Sequence, residues 1–392
     1  MRKMYLDILI ELLKGIGRFV LNPILYVAII FTILLGYRRV ITERKSFNTR
    51  IRWGWTETLF LLKDGWLLAL GISIISIGLG LVVPLEYLVL FICASIICIL
   101  TFYYYAASAV YPLAIAFGVI WYLQAQDASF NFLWWTFTGN SMDLGLFVVI
   151  PAFVGLLLLA EGILIYRHAV KFASPRLEKS DRGMPAATYL VKRLWLLPIF
   201  FVIPGGLIQA YIPYWPQLTM WNSTFSFILV PVVIGFQQRS RKTLSVHFYP
   251  RIGKAIILLA MIVLLGAIVA PHIPAFGFVG ICVAVGGRIL ISAIYAWTER
   301  DSGYAVTPQN AGVVIAAILP GSPAQAMGLQ VGECIRKVNG IEVQTEEEMY
   351  EALQVNAAQC RIEVLNHDGE VRLRQQVIHR HDHYKIGLLV VR

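Results

Sequence analysis

The sequence predicts a polytopic α-helical membrane bundle of about eight or nine spans, followed by a small α+β domain. Three observations lead there. The 392-residue chain is 58% apolar and 14% charged, whereas soluble domains are roughly half apolar and a quarter charged. Basic loops alternate along it with loops that hold no Lys or Arg. Beyond residue 298 the long apolar runs stop and short alternating segments begin. The chain therefore divides into a transmembrane part, 1–298, and a second domain, 299–392.

A spanning helix takes about 20 apolar residues, each adding about 1.5 Å across a core of about 30 Å. Runs that meet this lie at roughly 19–36, 65–83, 86–105, 106–123, 142–166, 194–212, 221–236, 255–270 and 273–297. The stretch 85–123 is too long for one span, and Ala106-Ala107-Ser108 with Pro112 mark its break. Asn22-Pro23 interrupts the first run, which closes at Gly36-Tyr37-Arg38-Arg39 without a small-x-small cleavage site, so no removable leader is expected.

Residues 1–298 carry 24 Lys/Arg and 11 Asp/Glu, whereas 299–392 carry 9 and 12. The formal charge of +10 thus belongs to membrane loops and lipid headgroups, and no nucleic-acid partner is expected. Loops 37–64, 167–193 and 237–254 hold seven, seven and five Lys/Arg, while 124–141 and 213–220 hold none. The positive-inside rule places the basic loops in the cytoplasm, with Trp134, Trp135, Trp215 and Trp221 anchoring the outer interface. Counting forward through a turn at His272 leaves the C-terminal domain cytoplasmic. Residues 4–18 mix Leu and Ile with Asp7, Glu11 and Lys14, as an interfacial helix does. Nine spans put the N-terminus outside; a half hairpin at this segment gives eight and puts it inside.

Two charges interrupt the apolar runs. Arg288 lies nine residues before Trp297, a depth of about 13 Å, where an Arg costs about 2.5–3.5 kcal/mol unless paired or hydrated. Glu161, five residues before Tyr166, falls in the same leaflet. Either the two pair inside the bundle, or Arg288 snorkels to the interface alone.

The C-terminal part reads as short strands with two helices. Ala311–Leu319 is a strand, Pro323–Met327 a helical turn closed by Gly328, and Glu333–Val338 the next strand. Thr345-Glu346-Glu347-Glu348 is a capping box that opens a helix continuing through Met349, Ala352, Leu353 and Val355. Arg361–Leu365 and Val371–Ile378 form a hairpin across Asp368-Gly369. The order Leu319-Pro320-Gly321-Ser322-Pro323-Ala324, Gly328-Leu329, Gly332-Glu333, Val338-Asn339-Gly340 resembles a PDZ domain, a module that captures peptides by adding them to its sheet. The ending Tyr384-Lys385-Ile386-Gly387-Leu388-Leu389 resembles the strand that opens an ordinary PDZ domain. The fold this implies is a circularly permuted PDZ-like domain with its ligand strand last. Peptide contacts would then come from Tyr384, Lys385, Ile386, Gly387, Leu388 and Leu389 on one wall, and from Glu346, Met349, Tyr350 and Leu353 on the helix. Ser302-Gly303-Tyr304-Ala305-Val306 is a second candidate for the ligand strand.

Enzyme chemistry finds no support. No H-E-x-x-H, G-x-S-x-G, P-loop or G-x-G-x-x-G occurs, and the five cysteines form no CxxC pair. His379-x-His381-x-His383 reads as a solvated loop rather than a metal site. No cofactor is implied. The layout of multiple spans and one PDZ-like module resembles the MinJ family of Gram-positive division-site proteins. So do Leu21-Asn22-Pro23, Glu43-Arg44-Lys45, Glu348-Met349-Tyr350-Glu351-Ala352-Leu353-Gln354, Gly369-Glu370-Val371-Arg372 and His383-Tyr384-Lys385-Ile386-Gly387-Leu388. The resemblance implies a plasma-membrane adaptor at septa and poles, linking the curvature-sensing protein DivIVA to the division inhibitor MinD. The competing reading is a transporter, or a regulatory subunit of a membrane protease, with the PDZ-like part as sensor.

Overall fold

The computed structural model describes residues 17, 19–132, 135–138, 145–180, 183–204, 218–220, 223–300, 303–355, 359–377 and 386–391. The expected interfacial helix at 4–18, apart from Gly17, lies outside them, as do the Trp215 and Trp221 anchors; Trp134 and the side chain of Trp135 are likewise undescribed.

Helix α1 (Pro23–Phe47) starts where the sequence showed an interruption. Asn22 is its N-cap, with Oδ1 accepting from Ile24 N at 3.1 Å, and Pro23 takes the first helical position, where its missing N–H is harmless. Then come α2 (Thr56–Lys63), α3 (Trp66–Gly78), α4 (Leu85–Leu100), α5 (Val110–Ala125) and α6 (Leu146–His168), with a small hairpin of β1 (Ser129–Phe132) and β2 (Trp135–Thr138) between the last two. Helices α7 (Ser245–Val269) and α8 (Ala275–Thr298) close the bundle. Among the described residues, five helical segments are long and apolar enough to cross a membrane: α1, α2 with α3, α6, α7 and α8. Helices α4 and α5 are apolar but shorter. Helices α6 and α7 cross closely because Gly162 and Gly253 face each other; a Cβ on Gly253 would sit 2.9 Å from the Gly162 carbonyl oxygen.

The runs 194–212 and 221–236 are not helices where the structure describes them. They belong to strands β4 (Pro185–Pro204) and β6 (Ser223–Ser240), paired antiparallel from Tyr189↔Ser240 to Pro204↔Phe225. Strand β3 (Ser174–Lys179) pairs with the near end of β4, and β5 (Leu218–Met220) with the far end of β6. Three prolines disfavour helix here, and two of them, Pro198 and Pro231, are directly opposite, so the missing donors coincide. The apolar stretch 194–203 spans about 33 Å as a strand, close to a bilayer core of about 30 Å.

Open sheet edges are excluded from lipid, so such a ribbon must be enclosed by protein. Leu194, Trp195, Leu196, Leu197, Ile199 and Phe201 are all buried. The edges are bonded to neighbouring segments: Phe200 N donates to Ser73 Oγ at 3.0 Å, Val83 N to Val202 O at 2.8 Å, and Gly235 N to Ala107 O at 2.7 Å. A buried strand and a buried helix both read as unbroken apolar sequence, which is why periodicity alone predicted helices.

After α8 the chain forms a six-stranded sheet, in the order β11-β10-β8-β7-β12 with β9 on β8. Its strands are β7 (Val313–Ile318), β8 (Cys334–Val338), β9 (Ile341–Glu342), β10 (Gln359–Leu365), β11 (Val371–Val377) and β12 (Leu388–Val390). Helices α9 (Pro323–Ala326) and α10 (Glu346–Gln354) complete it. The capping box forms as the residues require: Glu348 N donates to Thr345 Oγ1 at 3.2 Å and Thr345 N to Glu348 Oε2 at 3.3 Å. A core of Val313, Ile315, Ile335, Met349, Leu353, Ile362, Ile386 and Leu388, among others, fills the space beneath.

This domain is docked on the ribbon. Ala187 N donates to Val306 O at 2.9 Å, and Tyr189 Oη donates to Ala316 O at 2.8 Å. Ala187, Tyr189, Val306, Val314, Ala316, Cys334 and Val391 share one apolar cluster across the junction. Glu299, just beyond α8, accepts the amides of Arg241, Lys242 and Thr243 on Oε2 at 2.6, 2.6 and 3.2 Å.

Candidate functional site: a strand edge beside a capped helix

Strand β12 ends the sheet; among the described residues its one strand neighbour is β7. Gly387 O accepts from Leu319 N at 2.8 Å, and Val391 N donates to Val314 O at 3.1 Å. Backbone groups alternate sides along a strand, so the N–H and C=O of Leu388 face away from β7, toward the edge. That is the geometry strand addition uses.

Gly387 has a reason to be glycine. Its φ is +80°, and a Cβ there would overlap the Ser322 side chain. Ser322 is itself the N-cap of α9, accepting on Oγ from Gln325 N at 3.3 Å. Ala324 N bonds Ile386 O at 3.0 Å, so the Gly-Ser-Pro-Ala turn fixes the start of β12.

The predicted wall residues separate into two sets. Met349 and Leu353, one helical turn apart, are 0% and 2% exposed and belong to the core with Ile386 and Leu388. Glu346 and Tyr350, also four apart, are half-buried on the adjacent face, as is Leu389 on the strand. Val391, the residue after β12, lines a cavity of about 220 Å³ with Val313 of β7 and with Thr345, Glu346 and Glu347 at the start of α10. Tyr384 and Lys385 lie outside the described residues, as do His379, His381 and His383. Among the described residues no His, Cys, Asp or Glu cluster has a metal-binding arrangement.

The rival strand is occupied elsewhere. Of Ser302–Val306, residues 303–306 are described: Ala305 N donates to Arg241 O at 2.9 Å, and Val306 is fully buried against the ribbon. Val306 bridges to Ala187 of β4, and among the described residues the segment does not pair with β7, although the Val306 side chain packs in one cluster with Val314 and Ala316.

The intramembrane charges meet. Arg288 Nη2 is 2.7 Å from Glu161 Oε1, and Arg288 Nε donates to the same oxygen at 2.8 Å. Ser108 Oγ donates to Glu161 Oε2 at 2.5 Å, and Arg288 Nη1 donates to Ser292 Oγ. The sequence reading missed two further buried clusters. Arg193 is fully buried between Asp64, at 3.1 Å, and the Phe172 ring, 3.6 Å from its centroid. Arg39 joins Glu43 at 2.7 Å and Glu57 at 2.5 Å. Their residues sat in loops counted as solvated; Arg39 and Glu43 are one helical turn apart on α1, but no spacing in the sequence links Arg39 to Glu57 or Arg193 to Asp64.

The PDZ domain family model matches residues 314–366, from β7 to the end of β10. Over 98% of its length the chain is 33% identical to the cell division topological determinant MinJ of Bacillus subtilis (strain 168), covering 96% of that protein. The chain belongs to the MinJ family. A probable MinJ of Lacticaseibacillus paracasei is 25% identical over 60% of this chain and 64% of its own. The MinJ likeness therefore takes in the helices, the ribbon and the PDZ domain together. A PDZ domain in a MinJ-family chain implies protein–protein interaction.

Proposed function

We propose that the chain is a plasma-membrane adaptor whose cytoplasmic PDZ domain holds an extended segment of a division protein along the outer edge of β12. The observation that carries this reading is the outward Leu388 backbone on a strand whose side chains share a core with Met349 and Leu353 of α10. Backbone pairing supplies affinity, and the side chains of α10 select the ligand. The permuted order, with the ligand strand last in the chain, is part of the same proposal, as is the boundary near residue 298. The basic loops favour a cytoplasmic PDZ domain, and the ribbon replaces two predicted helical crossings by two strand crossings, so loop sidedness is unchanged. Family membership favours septa and poles as the place of action, and DivIVA and MinD as the partners bridged.

The test is a fluorescent fusion in dividing cells, combined with capture of DivIVA and MinD by the full chain. The fusion gathers at septa, and removing 301–392 disperses at least one partner. Reversing the helix wall with Glu346→Arg and Tyr350→Ala weakens capture about tenfold or more, the loss of one good contact. Uniform membrane fluorescence, or undiminished capture by that variant, overturns the reading.

A further inference from the structure

The near half of the ribbon has a face the bundle does not use. By register and alternation, Arg176 of β3, Lys192 of β4 and Arg239 of β6 share one face, and Val191, Arg193 and Phe236 share the other. The second face is buried. The first is one wall of a cavity of about 740 Å³. Tyr103, Tyr105 and Tyr111 form another wall, and Ile289, Ala293 and Ala296 of α8 the third. A second cavity of about 350 Å³ also reaches Arg176 and Lys192 and adds Arg38.

The nearby carboxylates are already engaged. Glu178 pairs with Arg239, Glu299 holds the amides after β6, and Glu43 and Glu57 hold Arg39. Among the described residues, neither Arg176 nor Lys192 has an ion pair, and Arg176 Nε is buried with no hydrogen-bond partner. Burial lowers the pKa of both, and Arg176 and Arg38 lower that of Lys192 further, so these cations lack a neutralising partner. Half-buried cations without a carboxylate partner favour an anion. The surface beside the cavity is apolar: on α8, Leu290, Ile294 and Trp297 are 58%, 47% and 72% exposed. Trp297 on this surface and the tyrosines of the cavity wall are residue types that a headgroup zone selects.

We propose that Arg176 and Lys192 form a binding site for a phosphate-bearing anion, either the phosphodiester of an anionic phospholipid whose chains lie along α8 or a soluble phosphate. The tyrosines of the cavity wall border the site, and the α8 wall supplies apolar contact for a lipid.

The test measures binding of short-chain phosphatidylglycerol to the full chain in a neutral detergent, with phosphatidylcholine as the control and inorganic phosphate as competitor. The wild type prefers phosphatidylglycerol. Arg176→Gln with Lys192→Gln weakens that binding about thirtyfold, the combined effect of two cations, and leaves phosphatidylcholine unchanged. The charge-preserving pair Arg176→Lys and Lys192→Arg retains binding, which separates lost charge from lost folding. Displacement by millimolar phosphate identifies a soluble anion as the occupant; resistance to it identifies the lipid. Equal binding of the two lipids by the wild type, or undiminished binding by the double glutamine variant, overturns the proposal.

Discussion

Arg288 and Glu161 face each other with both side chains sealed inside the bundle, 1% and 0% exposed. The carboxylate has a second donor in Ser108, and the guanidinium has Ser292, so the pair is supported at both ends. Losing one partner leaves an uncompensated buried charge, whereas losing both leaves only a packing change. Arg288→Met or Glu161→Met alone is expected to destabilise the protein by about 3–5 kcal/mol. The double replacement Arg288→Met with Glu161→Met is expected to recover most of that. Denaturant unfolding in detergent checks it, and additive effects of the two single changes would dismiss the coupling.

Gly387→Ala is expected to weaken the PDZ domain without touching the bundle. The residue is held at φ +80°, and any Cβ overlaps Ser322. A strained φ and an overpacked contact each cost about 1–3 kcal/mol. Proteolysis of the full chain should cut the segment after residue 377 sooner, while helical circular dichroism stays unchanged. Because a larger residue here unseats β12 itself, Glu346 and Tyr350 are the cleaner positions for testing ligand capture.

Tyr189→Phe is expected to loosen the junction between ribbon and PDZ domain. The hydroxyl is the donor to Ala316 O at 2.8 Å in a buried setting. A buried acceptor left without its donor costs about 1–3 kcal/mol. Hydrogen exchange should rise at β7 and at 303–306, and a profile identical to wild type would rule the bond out as a fastener.

Cys360 and Cys334 are expected to resist alkylation at neutral pH and to react on unfolding. Both thiols are 2% exposed, and burial pushes Cys360 up to about 12 and Cys334 upward. A thiol whose folded pKa is raised stabilises the fold fully below its unfolded value, about 8.5, and loses that contribution as pH climbs toward the folded value. The PDZ domain should therefore lose stability between about pH 8.5 and 12, and Cys360→Ala should reduce that slope. Rapid labelling of the native thiols at pH 7 would contradict the burial.

The PDZ domain was legible in the sequence because its signals are local. Asp368-Gly369 turns a hairpin, Thr345 and Glu348 cap a helix, and Ser322-Pro323 starts another; each acts within a few residues. The bundle was legible wherever one helix supplied its own hydrogen bonds. The ribbon was not, because a strand enclosed on both faces carries no alternation, and its partners Ser73, Val83 and Ala107 lie about a hundred residues away or more. In the same way Glu346 and Tyr350 separate from Met349 and Leu353 only once the core is in place.

The enclosed ribbon also dictates an order of synthesis. Two strands released singly into hydrocarbon would leave their amides and carbonyls bare, so the slot formed by α1, α3, α4 and α6 must exist before residues 185–240 leave the translocation machinery. The gene order meets this requirement, with the sheltering helices encoded first and α7 and α8 arriving afterwards to pack on the near half of the ribbon. A chain missing α3 should therefore stall during insertion and be degraded, even though the helices it retains are apolar enough to enter a bilayer on their own.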